Sequence, residues 1–185
     1  MNHDFLAIKQ RKGANTMLKL MEAIPFSVFL LYIRLVDTSK SWEPPFVLSG
    51  LVAIGVTSLC LYKKQMLHRL FLGINLYLIS GGLAFVTHQH WLNQIYNELQ
   101  ASGMLLWIIL VGIVSTVMSP RGFIGAKSPS RDLIKKYSLY LLLISVLGFV
   151  LSWSSRGNRL VSEIIPFASL FLIQSTLKAK IEKAN

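Results

Sequence analysis

Cysteine and acidic residues are scarce in this chain of 185 residues. It contains one cysteine, Cys60, and eight Asp and Glu residues against nineteen Lys and Arg residues. A single cysteine excludes an internal disulfide bond and a cluster of thiolate metal ligands, so we expect Cys60 to be a small buried hydrophobic residue. The shortage of acidic residues leaves a net charge of +11, which in a soluble protein would suggest a nucleic-acid partner.

Signatures of catalysis and of phosphate binding are missing as well. The sequence has no glycine-rich phosphate-binding loop, no nucleophile elbow and no His-Glu-x-x-His zinc-peptidase motif. The one metal-like spacing is His88-x-His90, with Glu98 as the nearest further candidate ligand. Because a metal site normally needs three or four ligands, we expect interfacial histidines here and keep zinc or copper binding as the alternative. We therefore expect neither an enzyme nor a cofactor.

Six long apolar runs account for most of the chain. Hydrophobic residues make up 53% of it, and the mean hydropathy is +0.53. A helix needs about 20 residues to cross a hydrocarbon core of about 30 Å, so six spans leave only short loops and tails. The runs cover residues 23–36, 45–62, 70–87, 101–118, 137–153 and 160–177. They predict an all-α, polytopic membrane protein built as a bundle of six transmembrane helices.

The predicted bundle forms one domain, residues 20–178, between a basic N-terminal segment, 1–19, and a short tail, 179–185. The N-terminus is basic and then apolar, as in a signal peptide. No small-x-small cleavage site follows Val36, however, so we expect the first span to be retained.

Positive charge alternates between the gaps that separate the apolar runs. Fifteen of the nineteen Lys and Arg residues lie in every second gap, and they are Lys9, Arg11, Lys12, Lys19, Lys63, Lys64, Arg69, Arg121, Lys127, Arg131, Lys135, Lys136, Lys178, Lys180 and Lys183. Because positive residues of short loops stay on the cytoplasmic side, both termini are predicted to be cytoplasmic. The same residues would meet anionic lipid headgroups, which explains the net charge without a nucleic-acid partner.

Two local patterns predict how the third span is placed. Gly81 and Gly82 are small residues that let another helix approach the backbone closely. After this span, residues 91–99 have apolar side chains at positions 91, 92, 95, 96 and 99. This amphipathic stripe contains Trp and Tyr, which favour the headgroup region, so we expect a short helix on the outer membrane surface.

Ionisable residues cluster near the predicted ends of the first and sixth spans. Glu22, Arg34, Asp37 and Glu163 all lie within about two turns of a span end, where they avoid the cost of about 2.5–3.5 kcal/mol expected at the bilayer centre. We expect these four residues to be interfacial anchors, with Arg34 and Asp37 close enough to form an ion pair. In the alternative arrangement, the side chains of Arg34 and Asp37 point into the bundle and form a polar contact there. Pro25 suits the first turn of a helix, and Glu22 suits its positive N-terminus.

The same two span starts share a short sequence pattern. Residues 22–26 read EAIPF, and residues 163–167 read EIIPF, at the beginning of spans that run in opposite directions. Inverted repeats of this kind underlie many transporters, although a three-plus-three repeat would relate spans one and four. Shared helix-start chemistry is the alternative explanation.

Two groups of motifs are similar to one known family. The first is Glu22-x-x-Pro25-x-x-Val28-Phe29, followed by Arg34 and Asp37, and the second is Gly81-Gly82-Leu83 with His88 five residues later. In this order and spacing they resemble the first and third spans of the bacterial intracellular septation protein A family, also called YciB or IspZ. The resemblance covers roughly residues 22–88, and the chain length fits the family as well.

The second half of the chain departs from this family. The family tends to have a basic segment after the histidine, whereas residues 91–99 contain no Lys or Arg, and the Trp and Asn residues of its fifth span are missing from the fifth run here. The resemblance implies a multi-pass protein of the bacterial inner membrane. It further implies a role in cell-envelope maintenance and division, without enzymatic activity.

The sequence therefore supports two main functional hypotheses. The first is a non-enzymatic membrane protein that contacts other envelope or division proteins, with the basic loop 121–136 as its cytoplasmic docking surface. The alternative is a small transporter or channel, acting as an oligomer, in which Glu22, Arg34 and Glu163 face a water-filled cavity. Convergence of these residues with Asp37 and His88 would favour transport or chemistry, and dispersal would favour anchoring and protein contacts. An enzyme that acts on lipid is a third hypothesis, for which the sequence offers no polar cluster.

Overall fold

The computed structural model consists of helices joined by short connections, and no strand occurs among the residues that it describes. These residues are 20–36, 42–99, 101–126, 128, 130–155, 158 and 160–183. The helices are α1 (Ile24–Leu35), α2 (Glu43–Tyr62), α3 (Arg69–Val86), α4 (His90–Leu99), α5 (Ala101–Met118), α6 (Arg131–Ser154), a π-helical turn (Leu160–Ile164) and α7 (Ile165–Lys183). The predicted all-α class is confirmed. The basic segment 1–19 and Asp37 lie outside the described residues.

Five helical stretches in the described part of the chain are long and apolar enough to cross a membrane. They are α2, α3, α5, α6 and the stretch from the π-helical turn through most of α7, Leu160–Ile181. Their outward faces carry apolar side chains such as Leu51, Val117 and Leu147, each more than half exposed. Faces of this kind are unfavourable in water, so the helices indicate a membrane protein.

The first apolar run forms a shorter helix than predicted. α1 has 12 residues, which at 1.5 Å per residue extends about 18 Å and falls short of a hydrocarbon core of about 30 Å. It begins with Pro25 in its first turn and ends at Leu35, because Val36 adopts an extended conformation. A sixth crossing therefore remains a prediction.

α3 lies at the centre of the bundle. It packs against α2 and α5 most extensively and also against α1 and α4, while α6 packs on α5 and α7 packs on α6. Leu70, Ile74 and Leu78 follow one another at four-residue spacing along α3, and all three are fully buried. This spacing places them on one helix face, so α3 carries the central part of the core.

Gly81 and Gly82 lie where α3 crosses α2. A Cβ atom on Gly82 would lie 3.0 Å from the carbonyl oxygen of Phe46, and a Cβ atom on Gly81 would overlap the Phe46 ring. By contrast, a Cβ atom on Gly55, on α2, would meet open space. Only glycine therefore lets the two backbones come this close at residues 81 and 82.

The segment 91–99 forms a helix, as predicted. In α4, Trp91 and Ile95 are exposed, but Tyr96 is buried against the rings of Phe46 and Tyr77, at centroid distances of 5.8 and 5.1 Å. The helix therefore packs onto the bundle through Tyr96. Its position at the outer membrane surface remains a prediction.

Candidate functional site

Two cavities lie at opposite ends of the interface between α1 and α7. One is lined by Glu22 just before α1, the loop before α3 and the start of α3, the loop after α5, and α7 from its middle onward, and we call it the basic cavity. The other is lined by one face of α1, the starts of α2 and α5, parts of α3 and α4, and the π-helical turn with the start of α7, and we call it the aromatic cavity. Their volumes are about 330 and 290 Å³, respectively. Cavities of this size can hold small molecules.

The basic cavity brings together cations from three separate connections. Arg69 begins α3, Arg121 lies in the loop after α5, and Lys178 lies in the last turns of α7. These three residues come from three different basic segments that flank the apolar runs. The cavity also contains one carboxylate, from Glu22, and the imidazole of His68.

Glu22 is buried in this cavity, with only 1% of its surface exposed. Its Oε2 atom accepts a hydrogen bond of 2.6 Å from the backbone N–H of His68. His68 is the N-cap residue of α3, so the carboxylate lies at the positive end of that helix. The expectation from the sequence placed Glu22 at the N-terminus of its own helix, as an interfacial anchor. Tertiary packing places it inside the protein and against α3 instead.

Ser119 connects the two arginines of the basic cavity. Its Oγ atom accepts a hydrogen bond of 3.1 Å from Nη2 of Arg69 and one of 3.4 Å from the backbone N–H of Arg121. The guanidinium of Arg121 also contacts the sulfur of Met66, on the loop before α3. The start of α3 and the loop after α5 are thereby held next to each other.

The loop that carries Arg121 depends on a glycine. Gly122 has φ of +55°, a left-handed conformation that favours glycine, and a Cβ atom there would overlap Ser138 of α6. Two residues later, the backbone N–H of Ile124 donates a hydrogen bond of 3.2 Å to Oγ of Ser138. The turn is thus fastened to α6, which fixes the position of Arg121.

Two buried polar atoms at the basic cavity have no hydrogen-bond partner among the described residues. One is Nε of Arg69, and the other is Oε1 of Gln174, whose side chain is 3% exposed. The Nε2 atom of Gln174 donates a long hydrogen bond of 3.5 Å to the carbonyl oxygen of Ile124. An unsatisfied buried polar atom costs about 1–3 kcal/mol, so a ligand that pairs with these atoms would be stabilised.

The aromatic cavity is lined mainly by rings, with a carboxylate beside them. Phe46 and Tyr77 line it together with Tyr96, whose hydroxyl lies 2.6 Å from Oγ of Ser80. Glu163 is half-buried and lies on the π-helical turn before α7. π-helical turns occur frequently at functional sites, because the extra residue shifts side chains relative to a regular helix.

Aromatic rings separate the two cavities. Phe26 of α1 packs against Phe167 of α7, with 5.6 Å between ring centroids, and both line the aromatic cavity. One turn further along α7, Phe171 packs against Phe71 at 5.0 Å and against His68 at 6.0 Å, and these two residues line the basic cavity. Phe171 and its neighbours therefore lie between the residues that line the two cavities.

The residues predicted as sites do not converge. Glu22 and Glu163 lie in different cavities at opposite ends of the bundle, and Arg34 is exposed. His88 is exposed with φ of +52°, and His90 begins α4. In the described part of the chain, no group of three His, Cys, Asp or Glu residues is arranged to hold a metal ion.

The repeated segments 22–26 and 163–167 do meet in space. Their final residues are Phe26 and Phe167, which form the ring contact between α1 and α7. The two helices run in opposite directions, and each begins beside the carboxylate of its own cavity. The repeated pattern therefore occupies equivalent places on the two sides of one interface.

The most informative site residues were not singled out from the sequence. Arg69, Arg121 and Lys178 were treated as topological charges and Gln174 as an ordinary span residue, while His68 was assigned no role. Gln174 offered a signal, since a glutamine within an apolar run has to be satisfied at depth.

Comparison with known proteins adds no family assignment. No protein-family model, curated protein or solved structure matches this chain.

Proposed function

We propose that this chain is a non-enzymatic, multi-pass protein of the bacterial inner membrane that acts as a small transporter or channel along the α1–α7 interface. Dispersal of the predicted site residues by itself favours anchoring and protein contacts, but one observation favours transport instead. It is the pair of cavities, each with one carboxylate among its described lining residues, at opposite ends of this interface and with aromatic ring contacts between them. Opening of the aromatic layer would join the cavities into one path. As a small bundle, the protein would work as an oligomer.

The distribution of basic residues supports a cytoplasmic basic cavity. Arg69, Arg121 and Lys178 belong to three different segments rich in Lys and Arg, outside the apolar runs. Segments of this kind stay on the cytoplasmic side of a membrane. Trp42 and Asn97, in contrast, come from the alternate gaps and line the aromatic cavity. This proposal includes cytoplasmic termini and six crossings. Leu20 and Met21, which are already helical, lengthen the stretch that would form the first of them.

The separation of the carboxylates supports a role without catalysis. Glu22 and Glu163 lie in different cavities, so they cannot act as an acid–base pair on one substrate. Carboxylates in distinct cavities, one buried and one half-buried, instead fit successive binding positions along a path.

We expect Phe171→Ala to increase solute flux, because it removes the ring that closes the path. The protein would be reconstituted into liposomes, and the uptake of K⁺, Na⁺, chloride, phosphate and amino acids would be measured. Phe149→Ala is the matched control, since Phe149 is a half-buried ring on α6 that stacks on Trp153 away from the path. The transport proposal fails if the wild type and Phe171→Ala are both no faster than protein-free liposomes for every solute.

A second function is supported by an exposed basic surface. Arg131, Lys135 and Lys136 are all exposed at the start of α6, which Ser130 caps by accepting a hydrogen bond from the N–H of Leu133. This rigid surface lies in the basic loop region and fits docking of an acidic partner. Together with the septation-type motifs, it supports contacts with other envelope or division proteins.

We expect the combined substitution of Arg131, Lys135 and Lys136 by Gln to reduce recovery of envelope or division proteins after crosslinking in membranes. The loss follows from removal of the charges that attract an acidic partner. Lys63→Gln with Lys180→Gln is the control, because both lysines are exposed at the same end of the bundle. Equal recovery with both sets of variants would contradict docking at this surface.

A further inference from the structure

We infer that the basic cavity is a binding site for a phosphate ester that carries a hydroxyl or ammonium group. Among the described residues, three cations, those of Arg69, Arg121 and Lys178, line it against one carboxylate, that of Glu22. The excess of positive charge fits an anion with one or two negative charges. Guanidinium groups are well suited to phosphate, since they present several donors in a plane.

The buried polar atoms indicate both parts of the ligand. Nε of Arg69 is a donor without a partner among the described residues, and it can pair with a phosphate oxygen. Oε1 of Gln174 is likewise an acceptor without a partner among the described residues, and it can accept a hydrogen bond from a donor on the ligand. A hydroxyl or ammonium group next to the phosphate supplies that donor. A phosphate ester with such a group therefore satisfies both buried atoms.

The electrostatic surroundings leave the cations available for such a ligand. Arg69 and Arg121 line the same cavity and carry like charges, so an anion between them would offset their mutual repulsion. The carboxylate of Glu22 accepts a hydrogen bond from the N–H of His68 at the positive end of α3, which offsets part of its charge. The volume of about 330 Å³ suits a headgroup-sized molecule.

Two sources of this chemistry exist, a phospholipid headgroup and a free sugar or glycerol phosphate. Both contain a phosphate ester next to a hydrogen-bond donor. Binding to the cavity is independent of transport: a ligand that binds without crossing the membrane supports this inference and contradicts only the transport proposal.

The test is ligand binding to the full chain in nanodiscs of phosphatidylcholine. In one arm, glycerol 3-phosphate is titrated and the shift of the thermal unfolding midpoint is measured, with glycerol as the uncharged comparison. In the other arm, phosphatidylglycerol is added to the nanodiscs, the shift of the thermal unfolding midpoint is measured in the same way, and retention of the lipid is measured by native mass spectrometry. We expect stabilisation in at least one arm, because a ligand that binds the folded state raises its stability. A response in the first arm identifies a free ester, and a response in the second alone identifies a lipid.

The variants locate the site. Arg121→Gln and Lys178→Gln are each expected to weaken binding about tenfold, since each removes a charge-assisted hydrogen bond. Gln174→Leu is expected to weaken it too, because it removes the acceptor for the ligand's hydroxyl or ammonium group. Lys63→Gln is the control, since Lys63 is exposed on the same loop region as His68 but does not line the cavity.

Two results would overturn the inference. One is no stabilisation of the wild-type protein in either arm, a measurement that does not depend on whether any variant folds. The other is equal weakening by Lys63→Gln and Lys178→Gln, which would mean that general surface charge, and not the cavity, attracts the ligand.

Discussion

Replacing Phe46 with alanine is expected to lower the free energy of unfolding by about 3–5 kcal/mol. The side chain is 3% exposed, and its ring packs against the rings of Phe29, Tyr77, Phe85 and Tyr96, with centroid distances between 5.2 and 5.8 Å. It joins α1, α2, α3 and α4 at one point. Alanine would leave a cavity there that these helices could fill only by moving together.

The measurement is unfolding in mild detergent by titration with SDS, followed by helical circular dichroism. Phe149→Ala is the control, because Phe149 is a half-buried ring of α6, whereas Phe46 is almost fully buried. We expect a clearly smaller loss for this variant. Equal losses for the two variants would mean that Phe46 is not the centre of the packing.

Gly82→Leu is the second substitution with a large expected effect, a loss of about 3 kcal/mol. A Cβ atom at this position would already lie 3.0 Å from the carbonyl oxygen of Phe46, so a larger side chain has to push α2 away from α3. In lipid, no hydrophobic driving force brings the helices back, since the association depends on close packing.

Gly55→Leu provides the matched control for this prediction. Gly55 is also a helical glycine, and a Cβ atom there would meet open space. The same SDS titration should show a loss of at most about 0.5 kcal/mol, as for a substitution on an unpacked face. A loss at residue 55 as large as at residue 82 would show that the close approach of α2 and α3 is not the cause of the effect at residue 82.

A double-mutant cycle tests the geometry at Gly81. Leucine at residue 81 would overlap the Phe46 ring, and Phe46→Ala removes that ring. The two substitutions together should therefore cost less than the sum of their separate effects. Simple additivity would contradict the contact.

The helices themselves could be predicted well from hydropathy. The run 101–118 coincides with α5, and the runs 45–62 and 70–87 differ from α2 and α3 by at most two residues at either end. α6, which contains the fifth apolar run, begins six residues before that run, at Arg131. It begins there because Ser130 caps the helix and Asp132 suits its first turn. Polar residues outside the apolar run extend a helix when it is capped, and hydropathy does not register this.

The candidate site could be predicted only in part. Glu22 and Glu163 were recognised from their positions at span starts, and the structure places each of them at a cavity. The partners of Glu22 were not recognised, because His68 lies 46 residues away along the chain and contributes a backbone N–H, a group that every residue except proline has. No local pattern identifies such a contact.

The sequence by itself determined that this protein is helical and apolar enough for a membrane, since hydropathy and helix length are properties of contiguous residues. The sequence also showed that most Lys and Arg residues lie in alternate gaps before, between and after the apolar runs. Only the tertiary structure decided which polar groups share a cavity, because that depends on how each helix is rotated and how closely it approaches its neighbours. Glycines such as Gly82 set that approach, and packing between α1, α3 and α7 turned Glu22, Arg69 and Gln174 toward one space.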